Sequence, residues 1–261
     1  MEHNLPVGGT SLEAIAVVLL FLAFLLYPLA AVLTSLRFKT WPLHRYLLWS
    51  LGLFVTANVF TGPLAEYAHE NFIGHMWTHL LLGMLAPLLF LLAMPMTLLL
   101  RSLPVQLARR VSFLLKSRPF RLLSHPITAF ILNIGGLYGL YMTDLYAFMH
   151  QSLIVYALIH LHVFLAGYLF TASIIYIDVT SHRLGYVFRS IVLILSLAAH
   201  KILSKLIYAN PPAGVPRQQA EVGGMVMYYG GDFIELSLIV ILCYQWYKAT
   251  APRKKELAVD V

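Results

Sequence analysis

The sequence predicts an all-α protein, a polytopic membrane helix bundle of seven transmembrane helices with the N-terminus outside and the C-terminus cytoplasmic. Three observations predict it. Of 261 residues, 60% are hydrophobic and 11% charged, against about a quarter charged in an ordinary soluble domain. A chain this apolar cannot clothe a water-facing surface, so the bilayer must be its solvent. Apolar stretches of about 20 residues, the length a spanning helix needs, recur along the chain. The basic residues alternate in density from one interhelical segment to the next.

The first span covers roughly 12–36, with no charge between Glu13 and Arg37. The residues before it, Met1-Glu2-His3-Asn4, lack the basic n-region of a secretory signal, so the stretch reads as a true span. Further spans are expected at roughly 43–62, 73–101, 126–144, 150–177, 187–209 and 232–250. The second and fourth are shorter and carry glycine. Residues 1–261 read as a single transmembrane domain without internal repeats, with a basic cytoplasmic loop at 102–125 and a cytoplasmic tail at 251–261.

Charge orients the bundle. Counted together, Arg37, Lys39, Arg45, Arg101, Arg109, Arg110, Lys116, Arg118, Arg121, Arg183, Arg189, Lys248, Arg253, Lys254 and Lys255 make fifteen of the eighteen cations. All fall in the segments that are inner when the N-terminus is outside. Lys201, Lys205 and Arg217 fall on the outer half. This is the positive-inside pattern. The 102–125 loop has the basic, partly amphipathic character of a helix lying on anionic headgroups. Topology anchoring accounts for its charge, and it calls for no nucleic-acid partner.

Eleven histidines stand against eleven carboxylates, and ionisable groups within a membrane are expensive and commonly functional. His75 and His79 lie on the outer turns of the third span, four residues apart and so on one face. His160 and His162 lie about ten residues into the fifth span but 200° apart. His160 keeps company with Tyr156, Gly167 and Thr171 and is expected to face the bundle. His162 lies among Leu158, Leu165 and Leu169. His200 shares its face with Ser196 and Ser204. Asp232 and Glu235 open the seventh span, with Met225 and Met227 just before it. They stand at the depth to balance Lys201 and Lys205 or to orient histidines. A lone intramembrane histidine commonly serves only as a hydrogen bond between helices. Four of them at compatible depth, with methionines nearby, suit a soft or borderline metal instead. Imidazole suits copper, zinc and iron, and thioether selects Cu(I). The remaining histidines, His3, His44, His125, His150 and His182, lie near the membrane surfaces and need no special role, and His69 lies in the outer loop before the third span.

Several chemistries are excluded. The single cysteine, Cys243, permits neither an internal disulfide nor a cysteine metal cluster. His75-Met76-Trp77-Thr78-His79 has zincin spacing without the glutamate that would act as general base. There is no phosphate-cradling glycine loop, no nucleophile elbow, and no lysine deep in the seventh span for a retinal Schiff base. No enzyme chemistry is expected.

The run Gly74-His75-Met76-Trp77-Thr78-His79-Leu80-Leu81-Leu82-Gly83-Met84-Leu85-Ala86-Pro87, followed by Pro95, resembles a signature of the caa3-type CtaG family of bacterial cytochrome c oxidase assembly proteins. His160 through Gly167 resembles the family's histidine seven residues before a glycine, and Ala199-His200 its sixth-span histidine. Gly223-Gly224-Met225-Val226-Met227-Tyr228 resembles its entry to the last span, with tyrosine in place of tryptophan. Upstream, relatives commonly carry Asp-Gln where this chain has Gln218-Gln219 after Arg217. The resemblance covers roughly residues 50–247. It does not extend to the single-span copper chaperone of the same name, whose cysteine motif is missing.

The resemblance implies a bacterial cell-membrane protein that matures a haem–copper oxidase at the copper centre of subunit I. Combined with the depth of the histidines, the leading expectation is a metallochaperone that binds copper, as Cu(I), through His75, His79, His160 and His200. Met225 and Met227 would guide the ion, and Asp232 and Glu235 would orient ligands or balance the lysines. Its partners would be oxidase subunit I and the lipid bilayer, with a homo-oligomer left open. Two alternatives stand beside it: a haem-binding electron carrier using His79 with His160 or His200, and a scaffold or transporter in which the histidines only join helices.

Overall fold

The computed structural model describes residues 7–180 and 182–252, with side chains from residue 13 onward. The expected tail at 251–261, with Arg253, Lys254 and Lys255, lies almost wholly outside the described residues, as does His3. All regular structure among the described residues is helical.

Helix α1, Val7–Ser35, is apolar all round, and only 11% of its most apolar stretch is buried. A side chain such as Phe21 or Leu26, more than half exposed, has lipid as its only fitting solvent. One edge of α1 is pinned. Tyr27 Oη donates to the Ala93 carbonyl at 2.6 Å, accepts from Trp41 Nε1 at 3.0 Å and stacks on Trp49 with ring centroids 4.4 Å apart.

Helix α2, Leu43–Phe60, is followed at a 44° bend by α3, Pro63–Glu70. The bend sits at Gly62, whose φ of +80° suits glycine. Helix α4, Phe72–Ala93, is the axis of the molecule, with 72% of its most apolar stretch buried. Its start is fixed by two side-chain acceptors. Asn71 Oδ1 takes the Ile73 amide at 3.0 Å, and Gln219 Oε1 reaches across the fold to the Phe72 amide at 2.9 Å. A single π-turn, Leu81–Leu85, interrupts α4 two residues after His79 and two before Pro87.

The third span expected at 73–101 is therefore two helices. Met94 adopts φ 58°, ψ 54°, Pro95 cannot continue the hydrogen-bond ladder, and α5, Pro95–Ser102, sets off anew. The orphan amides of α5 are capped from a distance. Asp178 Oδ2 accepts from Met96 N and its Oδ1 from Thr97 N, both at 2.8 Å. The loop at 102–125 folds as two short helices, α6, Val105–Leu115, and α7, Arg118–Leu123.

Helix α8, Pro126–Met142, contains a second π-turn at Ile131–Gly135 and leads to the short α9, Leu145–Met149. Helices α10, Leu153–Ile174, and α11, Tyr186–Ala209, follow. The last helix, α12, Arg217–Thr250, begins fifteen residues before the expected start at 232 and runs for 34 residues. At ~1.5 Å per residue it is ~50 Å long, well beyond the ~30 Å hydrocarbon core. Its first turns lie against α4 and α11. Gly223 faces Phe72 and Gly224 faces the Ser204 carbonyl, each so closely that a Cβ would fall at 2.8 Å. Met225 and Met227 are thus within α12, not ahead of it.

Among the described residues, five helices are long and apolar enough to cross a membrane: α1, α4, α10, α11 and α12. The bent α2–α3 pair is a sixth candidate, and α8 is apolar but shorter. The fold is a multi-helix membrane bundle in which α4, α8, α10, α11 and α12 enclose the histidines.

Candidate functional site

The third-span histidines are buried by α4's packing against its neighbours. His75, His79, His160 and His200, together with Glu235, are each only 3–7% exposed. A buried imidazole normally pairs both ring nitrogens, so each departure from that pattern carries information.

His75 Nε2 is hydrogen-bonded to Tyr141 Oη at 3.0 Å, and its ring packs edge-on against Tyr146 with centroids 5.0 Å apart. His160 Nδ1 donates to the Tyr156 carbonyl one turn back, at 2.9 Å. That bond fixes the tautomer and leaves Nε2 as a lone-pair acceptor. His160 and His75 have centroids 6.4 Å apart and nearly perpendicular planes. Both line a small cleft of about 250 Å³ with Tyr141 and His79.

On the far side of His79 lies a second cleft of about 480 Å³, lined by His200, Glu235, Ser196 and Asn133. His200 Nδ1 donates to Glu235 Oε1 at 3.0 Å, and its Nε2 is buried without a partner. His79 is the extreme case, with neither Nδ1 nor Nε2 hydrogen-bonded. Its ring centroid is 6.2 Å from that of His200 and 6.1 Å from that of Tyr141. His79 therefore stands between the two clefts with both nitrogens uncommitted.

Glycines make this arrangement sterically possible. A Cβ on Gly231 would fall 2.6 Å from His200 Cε1, so only glycine on α12 leaves room for that ring. A Cβ on Gly167 would fall 2.0 Å from the Gly83 carbonyl oxygen, which Pro87 cannot satisfy from four residues on. The Gly83–Gly167 approach seats α10 against α4 in the π-turn, immediately beside His79. Single π-turns recur at functional sites because they re-aim the side chains around them.

Other expected residues fall elsewhere. Met227 is fully buried among Phe72, Met76, Leu203 and Ile207, and Met225 is 43% exposed on the opposite side of α12. Neither lines the clefts. Asp232 is paired with Lys201, both partly exposed, and the Lys201 and Lys205 ammonium groups lie 4.4 and 5.5 Å from the centre of the Tyr228 ring. His162 is exposed and donates from Nε2 to the Leu132 carbonyl in the α8 π-turn, at 3.1 Å. His69 stacks on Tyr156, one turn above His160.

A family model described as "Cytochrome c oxidase caa3 assembly factor (Caa3_CtaG)" matches residues 25–249. The chain belongs to this assembly-factor family. All four buried histidines and Glu235 lie within the matched stretch. An uncharacterized protein of Mycobacterium bovis is 36% identical over 159 residues, 58% of this chain and 24% of that protein. An uncharacterized protein of Mycobacterium tuberculosis matches to the same extent. One of Mycobacterium leprae is 29% identical over 230 residues, 80% of this chain and 35% of its own length. The chain thus spans about a quarter to a third of the curated relatives it matches. No solved structure matches it.

Whether the buried donors of this assembly factor fit a metal is decided by their number and orientation. No group of three or more His, Cys, Asp or Glu side chains gathers at ligating distance among the described residues. A closed cage for zinc is therefore not formed. Two imidazoles holding one ion through bonds of about 2 Å place their ring centroids about 6 Å apart. His79 and His200 stand at a comparable ring separation, 6.2 Å, and each carries an unpartnered buried nitrogen.

Sequence reasoning missed Tyr141, Tyr146 and Asn133. A tyrosine 66 residues from its histidine partner gives no local signal. Its one legible trait is a hydroxyl expected to seek a partner inside an apolar helix.

Proposed function

We propose that the chain is a seven-span assembly factor that carries copper to the copper centre of subunit I of a haem–copper oxidase. The observation that carries the proposal is His79. It is a fully buried imidazole with two unpartnered nitrogens, set between a cleft holding His75 and His160 and a cleft holding His200. Leaving such a group unpaired costs about 1–3 kcal/mol per donor or acceptor, and a ligand that uses those nitrogens recovers it.

The roles follow from each tautomer. His160, held by the Tyr156 carbonyl, and His200, held by Glu235, both turn an Nε2 lone pair away from their anchoring bond. A carboxylate on the distal nitrogen raises the basicity of an imidazole and fixes its orientation. Glu235 is thus a positioning residue for His200. Two-ligand coordination with further imidazoles nearby permits exchange, which a delivery protein needs. Copper here is cargo and bound only in transit.

Seven spans are supported by five long apolar helices, the bent α2–α3 pair and the 17-residue α8. The cations flanking α5, α6 and α7 share one end of the bundle with Arg183 and Lys248. Positive-inside bias makes that end cytoplasmic and puts the histidines in the outer half.

Cells whose own copy is replaced by a His79→Ala variant test the proposal. Expected are membranes with oxidase polypeptides present but copper-deficient, and with oxidase activity reduced in proportion. Normal copper content and activity, with the variant stably inserted, would contradict it.

A further inference from the structure

At the basic end of the bundle, away from the four buried histidines, lies an open pocket of about 800 Å³ between the end of α10, the start of α11 and the last turns of α12. Tyr176, Arg183, Tyr186, Arg189, Gln245 and Lys248 line it. Three are cations, and no acidic residue contributes to its wall among the described residues.

Arg189 is the unusual member. It is 2% exposed, and its guanidinium lies between two rings, 4.0 Å from the centre of Tyr176 and 4.5 Å from that of Tyr186. Nη1 donates to the Ile174 carbonyl and so caps the end of α10. Nε is buried without a partner. Structural duty as a cap thus leaves one buried donor, Nε, unspent.

A second feature points the same way. Helix α11 is 24 residues long, starts at this pocket with no side-chain cap and carries no acidic residue in its first turn. Its first residue, Tyr186, is on the pocket wall, so the free amides and positive dipole end of α11 lie at this pocket and favour an anion. Arg183 and Lys248, both exposed, flank the opening. Trp246 stacks parallel on Tyr186, with centroids 6.0 Å apart, as an aromatic side chain at headgroup depth does.

We propose that this pocket binds the phosphate of an anionic lipid headgroup, with the Arg189 guanidinium and the α11 amides as floor and Arg183 and Lys248 as rim. The phosphate is the recognised group. The lipid is favoured over a free anion because the pocket lies at the ends of three helices apolar and long enough to span a bilayer, where headgroups would meet it. Basic pockets between helix ends at this level are a recurring way of holding acidic lipids.

The test is native mass spectrometry of the full chain released from nanodiscs of equal phosphatidylglycerol and phosphatidylcholine, beside the Arg183→Gln/Lys248→Gln double variant. The double variant keeps Arg189 and its packing, so folding is preserved, and an unchanged denaturation midpoint verifies this. Expected is preferential retention of one phosphatidylglycerol by the parent and about a tenfold loss of that preference in the double variant. Inorganic phosphate in excess should leave the retained lipid in place. Equal retention of both lipids by the parent, or an unchanged preference in the double variant, would overturn the proposal. Displacement by inorganic phosphate would overturn the lipid assignment in favour of a free-anion site.

Discussion

Glu235 holds His200 by a 3.0 Å hydrogen bond to Nδ1, with both side chains buried, while Gly231, one turn earlier on α12, leaves the space that the imidazole fills. One helix thus both orients the ring and makes room for it, and leaves Nε2 buried without a partner in a ring whose centroid is 6.2 Å from that of His79.

Glu235→Gln removes the carboxylate but keeps an amide oxygen able to accept from Nδ1. Copper affinity of purified protein is expected to fall about 10–100-fold. Asp232→Asn, which changes only the partly exposed pair with Lys201, is expected to leave it unchanged. Competition titration with a Cu(I) chelator measures both.

Gly231→Ala and Gly167→Ala separate site from scaffold. Alanine at 231 meets the far side of the His200 ring and is expected to lower copper retention with a modest loss of stability. Alanine at 167 meets the Gly83 backbone, which cannot step aside, and should cost about 1–3 kcal/mol. Gly139→Ala meets nothing within 4 Å and is the control. Denaturation midpoints in detergent, read beside copper content, give the comparison.

How much of this was legible in the sequence depends on the range of the interaction. The segments expected at 12–36, 43–62, 150–177 and 187–209 correspond to α1, α2, α10 and α11 because apolar length alone sets them. The 200° separation of His160 from His162 is likewise local, and the two rings point to different neighbours. The start of α12 was hidden because Gly223, Gly224, Gly230 and Gly231 resemble a loop. Each instead admits a neighbour's atoms from α4 or α11. The break at Met94 was masked by the apolar residues on both sides of Pro95. Asp178, in a segment read as a connection, caps α5 from about eighty residues away, which no periodicity announces.

That cap yields its own expectation. Asp178 accepts from the amides of Met96, Thr97 and Val179. Asp178→Ala leaves two half-buried helix-start donors without a partner. A destabilisation of about 2 kcal/mol is expected, without any change in copper affinity. A midpoint equal to the parent's would show that α5 is capped by other means.

Topology is open to a labelling experiment. With Cys243→Ser as background, Glu66→Cys in α3 and Ser112→Cys in α6 are expected to react with a membrane-impermeant maleimide from opposite sides of the membrane, α3 from outside. Labelling of both from one side would contradict the seven-span reading.

The most direct measurement is elemental analysis, with an absorption spectrum, of detergent-purified protein loaded with Cu(I) under reducing conditions. The comparison is a variant in which His75, His79, His160 and His200 are all alanine. Expected are about one retained copper per chain in the parent, its loss in the variant and no Soret band, in keeping with one exchangeable two-imidazole site. Equal copper in both, no copper in either, or a Soret band in the parent would contradict it.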